Sequence, residues 1–177
     1  MANPNFPRGF QLYSNDGVRC VLNSLPVDGA NPTSIGIGDV INLVAGGTAE
    51  RGSAAGSIDQ IGVAIGFTDS TGSFLSSVPA NTSATVSYAP FFGTKFLVQT
   101  SGVADASAVG ALADLVVTGD ANPVTGVSQM ELDSATIGTG TQFRILGKDP
   151  ESNWGEANVR VIVVADTYVG NTGTPTI

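Results

Sequence analysis

Two pairs of carboxylates have a spacing that could support acid–base chemistry. Glu131 and Asp133 lie two positions apart, as do Asp149 and Glu151. Two carboxyl groups can act together in glycoside hydrolysis, and residues two apart in a strand project from the same face. No aromatic residue adjoins Glu131 to form a sugar platform, and residues 149–153 have the composition of a turn. The sequence therefore favours structural roles for both pairs, with carbohydrate hydrolysis by Glu131 and Asp133 as the alternative.

The composition removes most other routes to catalysis and metal binding. The chain has 177 residues, with no His and one Cys. The commonest general base and the Cys and His sets of zinc or iron–sulfur sites are therefore missing. The glycine-rich pieces at 36–38 and 138–141 complete neither a dinucleotide-binding motif nor a phosphate-binding loop. We predict that the protein is not an enzyme and has no catalytic residues, no cofactor and no metal.

The charge balance argues against nucleic acid and membrane partners. Lys and Arg number 7 against 15 Asp and Glu, and the net charge is −8. Scattered cations on an acidic chain give no footprint for a phosphate backbone. No apolar run approaches the roughly 20 residues that span a bilayer, and residues 1–8 lack the pattern of a secretory signal. We predict no nucleic acid and no membrane as partner.

Short apolar runs bounded by turn residues predict an all-β fold. The predicted strands cover residues 18–25, 40–44, 61–67, 85–88, 94–100, 115–117, 127–132, 142–147 and 158–165. They indicate one antiparallel, sandwich or barrel-like domain over residues 13–169, with at most one short helix near 104–113. Residues 1–12 are predicted to form an extended N-terminal arm and residues 170–177 a loose tail. Two small β lobes dividing near 90–93 are the alternative.

Three local features refine this prediction. Gly62 and Gly66, inside a predicted strand, indicate a β-bulge or a close approach of another backbone. Residues 46–57 are small and polar, which is typical of a mobile loop. Cys20 lies in the predicted strand over residues 18–25 and is predicted to be a small buried hydrophobe.

The N-terminal arm contains candidate binding residues. Two prolines keep it extended, and an extended segment can add a strand to the sheet of a neighbour. Phe6 and Phe10 would supply apolar anchors, and Arg8 would pair with an acidic group of the partner. The alternative is an ordinary frayed terminus.

Aromatic residues in predicted turns are further candidates. Phe91 and Phe92 directly follow Pro90, and Trp154 precedes the last strand. Such residues either cap the core or anchor a partner. The two roles stay open for Phe91 and Phe92, whereas the position of Trp154 favours capping. The predicted interface comprises residues of the arm and of these turns: Phe6, Arg8, Phe10, Phe91, Phe92 and Trp154.

The order of several phrases is the most distinctive feature of the sequence. They are residues 1–4 with Arg8 and Gly9, residues 93–100, 109–117, 126–136, 143–147 and 149–158, and a closing strand. This order resembles the tailed-phage capsid cement, or head decoration, proteins. The resemblance covers most of residues 93–166 and the extreme N-terminus and is thin over 20–90. Members of that family often close with a charged strand end, whereas this chain continues with residues 170–177.

The resemblance implies a structural protein of the virion, on the outer face of the capsid. Such a protein has no enzymatic activity and stabilises the shell by bridging neighbouring major capsid subunits. It acts as a symmetric homo-oligomer, for which we expect a trimer, with a dimer as the alternative. Another β-rich virion component is the nearest rival: a head-fibre base, a tail subunit or a glycan-binding module. The carbohydrate-active enzyme considered above comes from a different class.

Overall fold

The computed structural model describes residues 2–15, 22–53 and 59–168 and confirms the all-β fold class. The strands are β1 (Gln11–Asn15), β2 (Asn23–Pro26), β3 (Ile35–Gly36), β4 (Val40–Val44), β5 (Thr48–Arg51), β6 (Gln60–Thr68), β7 (Phe74–Leu75), β8 (Ser77–Val78), β9 (Thr85–Pro90), β10 (Thr94–Gln99), β11 (Val103–Ala104), β12 (Leu112–Ala113), β13 (Leu115–Val117), β14 (Met130–Leu132), β15 (Phe143–Lys148), β16 (Glu156–Ala157) and β17 (Arg160–Ala165). Within the described residues, the helical elements are two short 3-10 turns, at Ala106–Ala108 and Ser134–Thr136.

Two antiparallel sheets make up most of the described chain. Sheet I has the strand order β1-β10-β17-β15-β12, so it joins the first strand to strands from the second half of the chain. Sheet II has the order β2-β9-β6-β4-β5, with β7 paired to β6. Three two-stranded pairs, β3-β8, β11-β16 and β13-β14, complete the arrangement.

The larger apolar core combines residues of sheet I with residues of other elements, and it contains several aromatic rings. The ring of Phe143 on β15 lies 4.7 Å from that of Phe10 and 5.6 Å from that of Phe91, centre to centre. Val40 and Val63, opposite each other in sheet II, also belong to this core. A smaller core lies within sheet II. Residues of both sheets therefore bury apolar surface together, the main favourable contribution to folding.

Strand β6 confirms the prediction drawn from its glycines. Its pairing with β4 skips Ile61, and its pairing with β9 skips Ile65, so it carries a bulge toward each neighbour. A Cβ atom on Gly62 would lie 2.2 Å from the carbonyl oxygen of Ala89. Gly62 therefore permits a backbone approach that a side chain would prevent, whereas Gly66 has open space around it.

The prediction of a loop over residues 46–57 is wrong for its first part. Thr48–Arg51 form β5, which pairs with β4 in a hairpin that places Val44 opposite Thr48. Ala49 and Arg51 are buried, and alternation between buried and half-buried positions is typical of a strand against a core. The strand lacks the large apolar residues that mark a strand in sequence, and so its composition resembles that of a loop.

The helix predicted within residues 104–113 is reduced to one 3-10 turn. Ala106–Ala108 form this turn, which ends at Val109, whose backbone is extended with φ −63° and ψ 126°. Leu112–Ala113 pair with β15 instead. Alanine favours helix locally, but short helices depend on tertiary packing.

Other predicted strands differ from the structure at their ends. The strand predicted over 85–88 continues to Pro90, which lies at the end of β9 opposite Gly62. The strand predicted over 18–25 is described only from residue 22 and contributes β2. The predictions for Cys20 and for the tail at 170–177 fall outside the described residues.

Candidate interaction surface

The N-terminal segment, residues 2–10, contains no strand and packs against the domain. Its first anchor is the buried side chain of Asn3. The Nδ2 atom donates to the carbonyl oxygens of Asn153, at 3.1 Å, and Ala157, at 3.0 Å. The Oδ1 atom accepts from the Asn153 amide at 3.0 Å. An amide side chain used at both ends in this way fixes the start of the segment to the turn before β17.

The second anchor is the buried side chain of Gln99, at the end of β10. Its Oε1 atom accepts from the backbone amide of Phe6 at 2.9 Å. Its Nε2 atom donates to Asn5 Oδ1 at 3.0 Å and to Glu131 Oε1 at 2.7 Å. Burial raises the pKa of Glu131 above its ordinary value, and the hydrogen bond from Gln99 opposes that rise. One amide therefore connects the segment to a buried carboxyl group.

The third anchor is Phe10, whose ring enters the larger core. Its backbone amide donates to the Gly38 carbonyl oxygen at 2.9 Å. Gly9, just before it, adopts a φ of 65°, and a Cβ atom there would lie 2.4 Å from the same oxygen. Glycine is therefore required where the segment passes close to residue 38.

An apolar groove of about 680 Å³ runs beside this segment. Phe6 and Leu12 line it together with Ile37 and Ile65, and so do four residues of a later segment: Asn122, Thr125, Val127 and Gln129. Phe6, Leu12 and Ile37 are among the exposed large apolar side chains of the described residues, and Phe6 is 61% exposed. The groove thus combines apolar surface with accessibility, which is typical of binding surfaces.

Arg8 is the charged residue of the groove lining. Its guanidinium carbon lies 4.5 Å from the centre of the Phe6 ring, a cation–π contact. The side chain is exposed. This contact holds a positive charge beside the apolar surface.

A buried ionic network holds residues 119–128, several of which line the groove. The Asp39 carboxylate accepts from the Gly36 amide at 2.7 Å and from the Ser128 hydroxyl at 2.5 Å, and it lies 3.1 Å from Arg51 Nε. Arg51 also reaches Asp120 at 3.0 Å. Burial raises the pKa of Asp39, and the Arg51 charge opposes that rise. The network fastens residues 119–128 to the beginning of β4 and the end of β5.

Gly126, between the groove residues Thr125 and Val127, brings three segments together. Its carbonyl oxygen accepts from the Ile37 amide at 2.9 Å. Its φ is 69°, and a Cβ atom would lie 2.3 Å from the Ser76 carbonyl oxygen. The side chain of Phe74, two residues before Ser76, is 90% exposed, and that of Val124, two residues before Gly126, is 89% exposed.

The structure separates the predicted interface residues into groups. Phe6, Arg8 and Phe10 all line the groove, although Phe10 is buried at its base. Phe91 is buried in the larger core, whereas the adjacent Phe92 is 71% exposed. Trp154 is half-buried and packs against the larger core. Neither Phe92 nor Trp154 lines the groove.

Sequence reasoning missed several apolar residues of this surface. Ile37 lies between two glycines. Leu12 lies in the predicted arm but is not among the predicted interface residues. The sequence indicates such a surface residue only as an apolar residue isolated among turn formers. A residue of this kind belongs to no periodic pattern, so strand and helix patterns do not identify it.

Three carboxylates of the two pairs, those of Glu131, Asp133 and Asp149, have structural partners. Glu131 is held by Gln99, while Asp133 accepts from the Ala135 amide at 3.0 Å and caps the following 3-10 turn. Asp149 lies 2.9 Å from Arg160 in an ion pair and begins a turn, as predicted.

Residues 2–15, 22–53 and 59–168 contain no group of three or more Cys, Asp or Glu residues placed to hold a metal ion. None of their helical elements has the length and apolar character needed to cross a membrane.

Comparison of the chain with protein-family models, with curated proteins and with solved structures gives no match. Function is therefore inferred from the surface described above and from the sequence.

Proposed function

We propose that this chain is a structural virion protein that binds the outer face of a tailed-phage capsid. It stabilises the shell by bridging neighbouring major capsid subunits and performs no catalysis. The observation that carries the proposal is the apolar groove, around which Phe6, Leu12 and Ile37 stand exposed. Contiguous exposed apolar surface of this kind marks interaction sites in soluble proteins.

The anchoring of the N-terminal segment supports this proposal. Asn3, Gln99 and the ring of Phe10 hold the segment before any partner binds. A surface that is already ordered loses little conformational freedom on binding. A cement protein has to recognise many identical sites on a finished shell, and a preformed groove suits that task.

The low charge of the chain fits the same role. Charged residues make up 12% of the sequence, against about 25% in an ordinary soluble domain. Few charges have to be desolvated when such a surface is covered, and the net charge of −8 helps to keep the free protein soluble. The resemblance over residues 93–166 points to the same class of protein.

Oligomerisation would strengthen attachment to the shell. Linked copies bind with a high effective concentration, so modest contacts give tight overall binding. We propose a homotrimer, with a dimer as the alternative, that engages equivalent capsid subunits around a symmetry position. The other β-rich virion components remain the alternative assignment.

Co-sedimentation with matching capsids that lack this protein tests the proposal. We expect saturable binding, and cryo-EM of the pellet should show density at one class of symmetry position. No binding, or density only at the tail or at a single vertex, would contradict the proposal and favour a tail or head-fibre component. Binding to host glycans in place of capsids would favour the glycan-binding module.

A further inference from the structure

Strand β1 borders the groove and forms the edge of sheet I. Among the described strands, it pairs with β10 alone. The Phe10 amide donates to Gly38 on the other side. Because backbone groups of alternate residues in a strand face the same edge, we expect those of Leu12 to face the same side as the Phe10 amide. An edge strand with available backbone groups is a template for a further strand.

Arg8 places one positive charge at the groove. Three of the four described arginines form ion pairs with aspartates: Arg51 with Asp39, Arg144 with Asp166 and Arg160 with Asp149. For Arg8, no carboxylate of the described residues lies within ion-pair distance. A partner that covers this arginine has to supply an acidic group or leave the cation desolvated.

We propose that the groove binds an extended peptide segment of another protein, which adds to the outer edge of β1 as a further strand. Apolar side chains of that segment pack against Leu12, Ile37 and Phe6, and one of its carboxylates pairs with Arg8. In this mode of recognition, main-chain hydrogen bonds provide the affinity and contacts of alternate side chains provide the specificity. The inference defines the chemistry of the bound segment and holds whether or not that segment belongs to a capsid subunit.

The N-terminal segment of a second copy is a poorer occupant. The N-terminal residues 2–10 contain no acidic residue, so they cannot neutralise Arg8 of another copy. Asn3 and Phe6 also tie this segment to its own domain. The chemistry of the groove therefore favours a foreign, acidic and apolar segment.

Selection from a random library of short linear peptides tests the proposal. The full chain serves as bait, and a Leu12→Ser variant serves for counter-selection. We expect the enriched peptides to carry Asp or Glu with apolar residues at alternate positions. Circular dichroism and thermal melts establish that each variant is folded.

The affinities of the enriched peptides for variants then separate the contribution of the Arg8 charge from that of the backbone hydrogen bonds. Arg8→Gln should weaken binding about tenfold, through loss of a charge-assisted pair, whereas Lys148→Gln, which removes a cation outside the groove, should not. N-methylation of the peptide amides that face β1 should abolish binding, and methylation of the intervening amides should not.

Three results would overturn the proposal. They are the absence of enrichment over the counter-selected bait, affinity that is indifferent to Arg8→Gln, and a concentration-dependent dimer of the protein alone that Leu12→Ser abolishes. A protein that binds capsids but selects no peptide refutes this inference and leaves the capsid proposal intact. Peptide binding without capsid binding supports this inference and contradicts the capsid proposal.

Discussion

Gln99 donates a hydrogen bond of 2.7 Å to the buried carboxyl group of Glu131 while it accepts the Phe6 amide of the N-terminal segment. The buried Glu131 carboxyl group therefore orients the Gln99 amide, and that amide in turn binds the N-terminal segment at the surface. The groove depends on this connection, because Phe6 forms part of its wall.

Removing the Gln99 side chain should loosen the segment without unfolding the domain. In Gln99→Ala, the Phe6 amide loses its acceptor and the Glu131 carboxyl group its donor, which should cost about 1–3 kcal/mol. Hydrogen exchange at the Phe6 amide should accelerate more than exchange in β10. Gln11→Ala, which truncates a half-buried glutamine of β1, is the control and should leave Phe6 protected. Unchanged protection of Phe6 in Gln99→Ala would contradict this account.

Glu131 should make stability depend on pH. Its pKa in the folded state is raised above the ordinary value of 4.5 by burial, so the folded state binds the proton more tightly than the unfolded state. The contribution of this group to stability is therefore present at low pH and is lost as the pH rises from about 4.5 through the folded pKa.

Glu131→Gln isolates that contribution. The wild type should lose stability relative to this variant as the pH rises through the window, which urea denaturation over a pH series would measure. Parallel stability profiles for the two proteins would show that burial of Glu131 does not perturb its proton affinity.

The buried pair of Asp39 and Arg51 should be costly to break from one side. Arg51→Leu leaves the Asp39 carboxyl group without its cation in the interior, and we expect a loss of about 3–5 kcal/mol in the free energy of unfolding. Arg160→Gln breaks the more exposed pair with Asp149 and should cost about 0–1 kcal/mol. Chemical denaturation of both variants tests the contrast, and equal losses would contradict it.

Two glycines of β6 form a matched pair for testing the close approach. Gly62→Ala would place a Cβ atom 2.2 Å from the Ala89 carbonyl oxygen, and we expect a loss of about 1–3 kcal/mol from the resulting shift of the backbone. Gly66 has open space around it, so Gly66→Ala should be neutral or stabilising by about 0.4–1 kcal/mol. Thermal melts of the two variants measure the difference. A neutral Gly62→Ala would mean that the strands separate easily at this point.

The parts of the fold that sequence predicts well are those with a local signal. Val40–Val44 and Leu115–Val117 are strands at the predicted positions because runs of β-branched and apolar residues favour them. Strand β5 carries no such run. Arg51 can be buried because it forms an ion pair with Asp39. This pairing is a tertiary contact, and the sequence around Arg51 does not indicate it.

The candidate surface was predictable only in part, for the same reason. Phe6 and Phe10 lie in similar sequence surroundings, yet Phe10 is buried because its ring packs against the ring of Phe143 in the core. Phe91 and Phe92 differ in the same way. Burial of an aromatic residue in a turn depends on distant partners, so sequence could name the candidates but could not divide them into core and surface.

Cryo-EM of capsids decorated with the wild-type protein tests the central claim most directly. We predict one oligomer at each equivalent symmetry position, with Leu12 and Ile37 facing the shell. A Phe6→Ser, Leu12→Ser double variant should lose decoration, and a Leu146→Ser variant, altered at an exposed leucine outside the groove, should keep it. Bare capsids with wild-type protein, or decoration with the groove turned to solvent and indifferent to the double variant, would contradict the account.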